Sequence, residues 1–261
     1  MISHKKSLPC YFILASFYLF LYLPLALLVI YSFNSTPITT PLSSFTFHWY
    51  KELFHNSQIW IAFSNSIIVA ITSTILSLFF TSLLIYYKTI GGHTKGLVPL
   101  FYGNLLIPDT MLGIALLSFF SRMDISLGYT TIIVSHTVLG LGLTIPLMFL
   151  RFKDLPPTLL EASAVLGASS WTTFRRIVMP FMMPTLLATS LVVFILSFDD
   201  YILTYFCAGS SVQTLSLFLV ASLRYGISPV MNALTTVVML FTICIITLLF
   251  LLKRKEEVEA C

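Results

Sequence analysis

The sequence predicts an all-α, polytopic membrane protein with six transmembrane helices. Three observations predict it. First, 57% of the 261 residues are hydrophobic and only 9% are charged, where a soluble domain carries about 25% charged residues. Second, the apolar residues gather into six runs, each at least as long as the roughly 20 residues that cross the hydrocarbon. Third, Lys and Arg fall unevenly into the connections between those runs, as they do in a chain of fixed orientation. Such runs have to be helical, because lipid offers no partner to a free backbone amide or carbonyl.

The first span is the apolar run 8–33, preceded by Lys5 and Lys6. It is too long for the apolar region of a signal peptide, and no small-residue cleavage site closes it, so it reads as uncleaved. Residues 34–62 form a polar, aromatic-rich loop with Trp49, Tyr50 and Trp60, rings suited to a membrane interface. Further spans are predicted at 63–87, 97–120, 129–150, 183–206 and 230–252. Pro108 and Pro146 are expected to kink their helices. Gly140 and Gly142 are expected to allow close helix contact, and His136 to be a core polar group bonded to a neighbour. Gly209, Ser210 and Ser211 read as the turn after the fifth span.

With the N-terminus inside, the inner face carries Lys5, Lys6, Lys88, Lys95, Arg151, Lys153, Arg175, Arg176, Lys253, Arg254 and Lys255. The outer face carries Lys51, Arg122 and Arg224. This asymmetry places both termini in the cytoplasm. Three segments follow: 1–59, the first helix and an outer loop; 60–252, a five-helix core with a cytoplasmic loop at 151–182; and 253–261, a cytoplasmic tail.

Several functions are excluded. The net charge of +4 is small and does not suggest nucleic-acid binding. Cys10, Cys207, Cys244 and Cys261 are far apart, with neither metal-ligand spacing nor a disulfide framework. The sequence has no Gly-x-x-x-x-Gly-Lys loop for nucleotide phosphates, so the chain is not expected to be an enzyme. Any ATP energy has to come from a partner.

Residues 158–180 form a polar island between apolar runs. Thr158 followed by Glu161 is a capping box that predicts a helix start, with Pro156 and Pro157 blocking any helix from upstream. Gly167 is placed to end that helix. Ser169 or Ser170 is placed to cap a second, carrying Trp171, Phe174, Arg175, Arg176 and Ile177 and ending near Pro180. Small side chains at Ala162, Ser163 and Ala168 leave room for another surface.

Glu161, Ala162, Gly167, Ile177 and Pro180 resemble, at matching spacing, the cytoplasmic coupling loop of permeases of type I ABC importers. Ser163 stands where that pattern has a second Ala, and Met179 where it has Leu. The resemblance extends over the whole chain and implies the permease fold of that family. It also implies four kinds of partner contact: a second permease making a heterodimer, two ATPase subunits on the cytoplasmic side, an external substrate-binding protein, and the lipid of a bacterial inner membrane. No cofactor is implied.

Three of the ten carboxylates fall within predicted spans: Asp109, Asp199 and Asp200. Such groups are functional candidates by default, since a span-centre carboxylate costs about 2.5–3.5 kcal/mol on insertion. On straight helices they lie about 18 and 24 Å from the inner ends, at about 1.5 Å per residue. No Lys or Arg lies within the spans at that depth, so no internal salt-bridge donor is evident. A cation pathway is the favoured reading, with Tyr201 and Tyr205 near enough to offer aromatic faces to an ammonium group. Adjacent rather than facing, Asp199 and Asp200 do not make a hydrolase dyad.

Pro108-Asp109, the run Ser197-Phe198-Asp199-Asp200-Tyr201, Ala208-Gly209-Ser210-Ser211, Gly226-Ile227-Ser228-Pro229 and Asn232-Ala233 resemble the spermidine/putrescine permeases within that family. A polyamine is then the expected cargo. Another cargo of the same importer class, such as iron or thiamine, stays open, and so does a proton-coupled secondary transporter using the same carboxylates.

Overall fold

The computed structural model describes residues 8–36, 44–94, 96–224 and 228–259. Lys5, Lys6 and Lys95 of the charge count, together with Gly226 and Ile227, lie outside the described residues. In chain order the helices are α1 (Leu8–Ser32), α2 (His48–His55), α3 (Ser57–Thr89), α4 (Leu97–Asn104), α5 (Asp109–Arg122), α6 (Tyr129–Lys153), α7 (Pro157–Val165) and α8 (Ser170–Thr173). A π-helical turn, Phe174–Val178, leads into α9 (Met179–Asp199), followed by α10 (Ile202–Cys207), α11 (Leu215–Arg224) and α12 (Pro229–Glu259).

The chain divides into two compact units, Met1–Ser57 with Ala221–Ile243, and Gln58–Val220 with Cys244–Cys261. In the first, the residues of α1 from Tyr11 to Leu27 are exposed all round. The segment after α1 folds back on it. Asn34 and Phe45 form an isolated antiparallel bridge, the Trp49 ring N–H donates to the Asn34 carbonyl at 2.7 Å, and Phe33, Phe45, Phe47 and Tyr50 cluster with ring centroids 4.9–6.2 Å apart.

In the second unit, α3, α6 and α9 pack through small and hydroxyl side chains. Ser66, Ser73, Ser77 and Thr81 are buried along one stripe of α3. Thr81 Oγ1 lies 2.6 Å from Thr144 Oγ1, and the Ser77 hydroxyl donates to the Thr137 carbonyl at 3.2 Å. Gly140 meets Ser77 and Val193 so closely that a Cβ there would collide with both, and Gly142 is equally close to Asn104. Backbones approach this way in membranes, where apolar burial alone gives helices no reason to associate. At one end of α3 an apolar core of Ile85, Ile145, Met148, Phe149, Leu155, Phe174, Val178 and Met182 closes the bundle. At the other end, Asn65 donates to the Gln213 carbonyl at 2.8 Å and accepts from the Tyr129 hydroxyl.

Among the described residues five helices are long and apolar enough to cross a membrane, and the pair α4–α5 supplies a sixth crossing if it is counted as one span. Counted in that way the helices correspond to the six expected spans, with two corrections. The third is not one helix over 97–120: α4 and α5 meet at a bend of 113°. Pro108 cannot donate the amide that would carry the ladder across and holds the preceding residue out of the helical region, so it breaks the helix rather than kinking it. The straight-helix depth expected for Asp109 therefore does not apply.

The fifth span starts earlier, running from Ser170 to Asp199, and stops at Asp200, which has an extended ψ of 125°. Residues 202–207 are a separate helix, α10. By contrast Pro146 sits inside α6 without interrupting it. Helix α2 lies within the stretch 34–62 expected to be loop, and α11 is a further short helix between the fifth and sixth spans.

Candidate functional site

Two places carry the polar groups singled out in the sequence: the connection between α6 and α9, and the break between α9 and α10. In the first, α7 begins at Pro157, with Pro156 at the N-cap position and no side-chain cap. The Thr158–Glu161 capping box therefore does not form. Pro157 takes the first helical position, where a missing N–H is harmless, and this draws Thr158 inside the helix. Gly167 ends α7 as expected, with φ +74°. The Ala168 N–H donates to the Ser163 carbonyl at 3.0 Å and the Gly167 N–H to the Ala164 carbonyl at 3.0 Å, the paired bonds of a Schellman turn.

Ser163 is buried where its neighbours Glu161, Ala162 and Ala164 are exposed. Its hydroxyl donates to the Leu160 carbonyl at 2.8 Å and lies 3.0 Å from Thr173 Oγ1 across the bend. Ser169 caps α8, accepting from the Thr172 N–H at 3.2 Å. The second helix does not end near Pro180. It passes through the π turn, where the Met179 N–H reaches back to the Phe174 carbonyl, and continues as α9. The wider turn stands immediately before a residue with no amide to donate, so Pro180 is absorbed instead of ending the helix.

Ile177 packs against the apolar core, while Pro180, Arg175 and Arg176 are exposed. Trp171 stacks on Phe174, and Tyr86 meets both edge-to-face, with centroids 5.2–5.7 Å apart, tying the root of α8 to α3. What projects is the end of α7: Val165 is 88% exposed and Leu166 85%. In the sequence this pair carries no signal beyond two large apolar residues just before a helix-ending glycine.

At the second place the adjacent carboxylates part company. Asp199 is exposed, whereas the Asp200 side chain is 8% exposed and its Oδ2 lies 3.3 Å from His136 Nε2. The expectation that Asp200 has no internal partner is thus corrected. The missing signal was His136, fully buried on α6, which a search for Lys and Arg leaves out. His136 Nδ1 lies 2.6 Å from Ser197 Oγ, and Nε2 lies 3.1 Å from Thr204 Oγ1.

Asp200 Oδ2 also accepts from the Thr204 N–H at 2.9 Å, and the Asp200 carbonyl accepts from the Ser216 hydroxyl at 2.6 Å. Ser197 near the end of α9, Asp200 at the break and Thr204 on α10 thus all meet the one His136 ring of α6. On the other side of the break, Tyr201 and Tyr205 sit with ring centroids 5.6 Å apart, and Tyr205 is 55% exposed.

Asp109 is exposed at the first position of α5. One turn further along, Gly113 lies against the Phe206 ring of α10, 2.6 Å from where a Cβ would stand. The two interrupted spans thus meet through their second segments, α5 and α10. Among the described residues no group of three His, Cys, Asp or Glu side chains is arranged to hold a metal.

Comparison with known proteins fits this architecture. Residues 94–255 match the family described as "Binding-protein-dependent transport system inner membrane component". The chain is 28% identical to the spermidine/putrescine transport system permease protein PotC of Haemophilus influenzae, over 92% of this chain and 94% of that protein. It is 29% identical to the putrescine transport system permease protein PotI of Escherichia coli, over 84% of this chain and 82% of that protein. In fold it resembles a chain of a bacterial ABC transporter that imports the polysaccharide alginate, with a TM-score of 0.62 and 18% identity over 96% of this chain and 93% of that one.

Proposed function

The chain belongs to the family of binding-protein-dependent transport system inner membrane components, and from that premise we propose that it forms half of the translocation pathway of an ABC importer for polyamines. The observation that carries the cargo is the acidic break. Asp199 and Asp109 are exposed carboxylates at interruptions of two spans, in a chain with few other charges. A polyamine entering a low-dielectric passage loses hydration around each ammonium, and fixed carboxylates offset part of that loss. Two separated groups suit an elongated polycation, and the Tyr201 and Tyr205 rings add cation–π surfaces. Holding the cargo weakly lets it leave. The PotC and PotI relatives are named for spermidine and putrescine, which supports the same reading.

The remaining assignments follow from it. A second six-helix permease completes the pathway, and a substrate-binding protein delivers cargo from outside. Both termini and the 151–182 loop face the cytoplasm, where two ATPase subunits supply the hydrolysis this chain does not. The docking element is α7. Glu161, Ala162 and the exposed Val165–Leu166 tip contact the ATPase, while Ser163, Gly167, Ile177 and Pro180 hold the loop's shape.

The test is copurification of the chain with its partner subunits, followed by ATPase assay in lipid with the binding protein and each cargo. Spermidine or putrescine should stimulate hydrolysis and be taken up, with thiamine and iron inert. Stimulation by thiamine or iron alone would overturn the cargo assignment.

A further inference from the structure

Asp199 and Asp200 are joined by one peptide bond and have opposite surroundings. Asp200 turns inward to a set of buried groups drawn from five segments: His136 of α6, Thr204 of α10, Ser216 of α11, Ser197 of α9 and, through Ser197, Ser73 of α3. Asp199 turns outward. We propose that His136 is a positioning residue: with Asp200 it clamps the break between α9 and α10, and this clamp leaves Asp199 as the carboxylate that meets the translocating cation. The inference rests on the polyamine-pathway reading above and divides the acidic pair into two roles.

The clamp follows from what a broken helix requires. Where α9 stops, the last carbonyls and the first amides of α10 lose their helical partners. Hydrocarbon supplies no replacements, so they have to come from side chains. Here the Asp200 carbonyl is taken by the Ser216 hydroxyl at 2.6 Å. The Thr204 amide is taken by the Asp200 carboxylate at 2.9 Å. That carboxylate is buried, and a buried charge persists only with several donors around it. Thr204 supplies one through its amide; a second comes from its hydroxyl, 3.2 Å from Oδ2, or from the His136 ring.

His136 is thereby held from both sides. Its Nδ1 meets Ser197 Oγ at 2.6 Å, and Ser197 Oγ meets Ser73 Oγ at 3.0 Å. With a neutral ring, Ser197 donates to Nδ1 and Nε2–H donates towards Asp200. With a charged ring, both nitrogens donate and the Ser197 hydroxyl turns to Ser73. Every group has a partner in either case, so the clamp is a fixed support.

The consequence for transport is geometric. Asp200, with Oδ2 held by Thr204 and facing His136 and its side chain only 8% exposed, is turned away from a passing ammonium. Asp199 follows the same backbone turn, so its direction is set by the bonds on Asp200. Removing the ring would leave the Asp200 carboxylate short of a donor and the turn free to shift, and Asp199 would move with it.

The experiment uses the assembled transporter, this chain with its partner subunits, in cells lacking other polyamine uptake. It reads KM and Vmax for spermidine, the amount of copurified complex, and its melting temperature. Asp199→Asn and His136→Ala should each raise KM about tenfold, the scale of one lost hydrogen bond to a charged group. Combining them should raise KM little further, because both spoil the placement of one carboxylate. His136→Gln keeps a side-chain amide donor and should recover most of the loss.

A purely structural His136 gives a different result, with less assembled complex and lower Vmax at unchanged KM, and that outcome would overturn the positioning role. Should His136→Ala fail to assemble, Ser197→Ala removes only the hydroxyl that seats the ring, and its KM must rise for the proposal to stand. An unchanged KM in Asp199→Asn overturns the pathway reading itself. Additive melting-temperature losses in His136→Ala and Asp200→Ala overturn the clamp alone.

Discussion

The hydroxyls of Ser163 and Thr173 lie 3.0 Å apart across the bend between α7 and α8, and both residues are buried. Where the coupling-loop pattern has Ala, this chain has a serine whose hydroxyl stitches the two helices together. Ser163→Ala should leave Thr173 without that partner and cost about 1 kcal/mol locally. The expected outcome is a complex that assembles, with a lower ratio of cargo imported to ATP hydrolysed, read by parallel uptake and ATPase assays.

Gly167 holds φ at +74° with nothing within 4 Å of where a Cβ would stand. A side chain there would meet no steric clash and would strain the backbone alone, by about 1–2 kcal/mol. Gly167→Leu should therefore redirect the chain after α7 without disturbing insertion. ATP hydrolysis should continue while uptake falls; uptake at the parental rate would count against the loop's coupling role.

Val165 and Leu166 are too exposed to stabilise the chain's own fold. Replacing both by Ser should leave the melting temperature of the permease within about 1 °C, since surface changes are worth at most about 0.5 kcal/mol. Copurification of the ATPase should drop sharply. A lowered melting temperature with normal copurification would place the pair in an internal contact instead.

Gly140 tests the packing of α3, α6 and α9. A side chain there collides with Ser77 and Val193, and overpacking a tight interface costs about 1–3 kcal/mol or more. Gly140→Leu should reduce folded protein in the membrane, measured by fluorescence size-exclusion profile, whereas Gly103→Leu, with open space around it, should not.

The spans were legible because hydropathy over some twenty residues reflects a single physical demand, removal of backbone groups from lipid. The interruptions were not legible to the same degree. Pro108 signalled a disturbance, yet whether a proline kinks or breaks a helix depends on what else can satisfy the freed groups, and Pro146 sits unbroken in α6. Nothing local marks the stop at Asp200, because it is secured by Ser216 and His136, 16 and 64 residues away.

The 158–180 connection, with its helix-ending glycine, could be located from spacing alone. The capping pattern at Thr158 misled because Pro157 competes for the same turn. Orientation rests on cations in the loops, and Asp200 seemed partnerless because a histidine does not count among residues of fixed charge.

The 113° bend between α4 and α5 has a consequence for permeability. Residues 105–109 are all exposed, so any helix-end carbonyl or amide that the turn bonds of the bend leave over has to be met by water, a side chain or a partner. The first turn of α5 begins at that exposed notch, with Asp109 at its first position. A notch open to water would offer small cations a foothold that a continuous helix would deny them. The close Ser77–Gly140 and Thr81–Thr144 contacts leave no such space, so any leakage of sodium or protons through this chain is expected beside the α4–α5 bend rather than between α3 and α6.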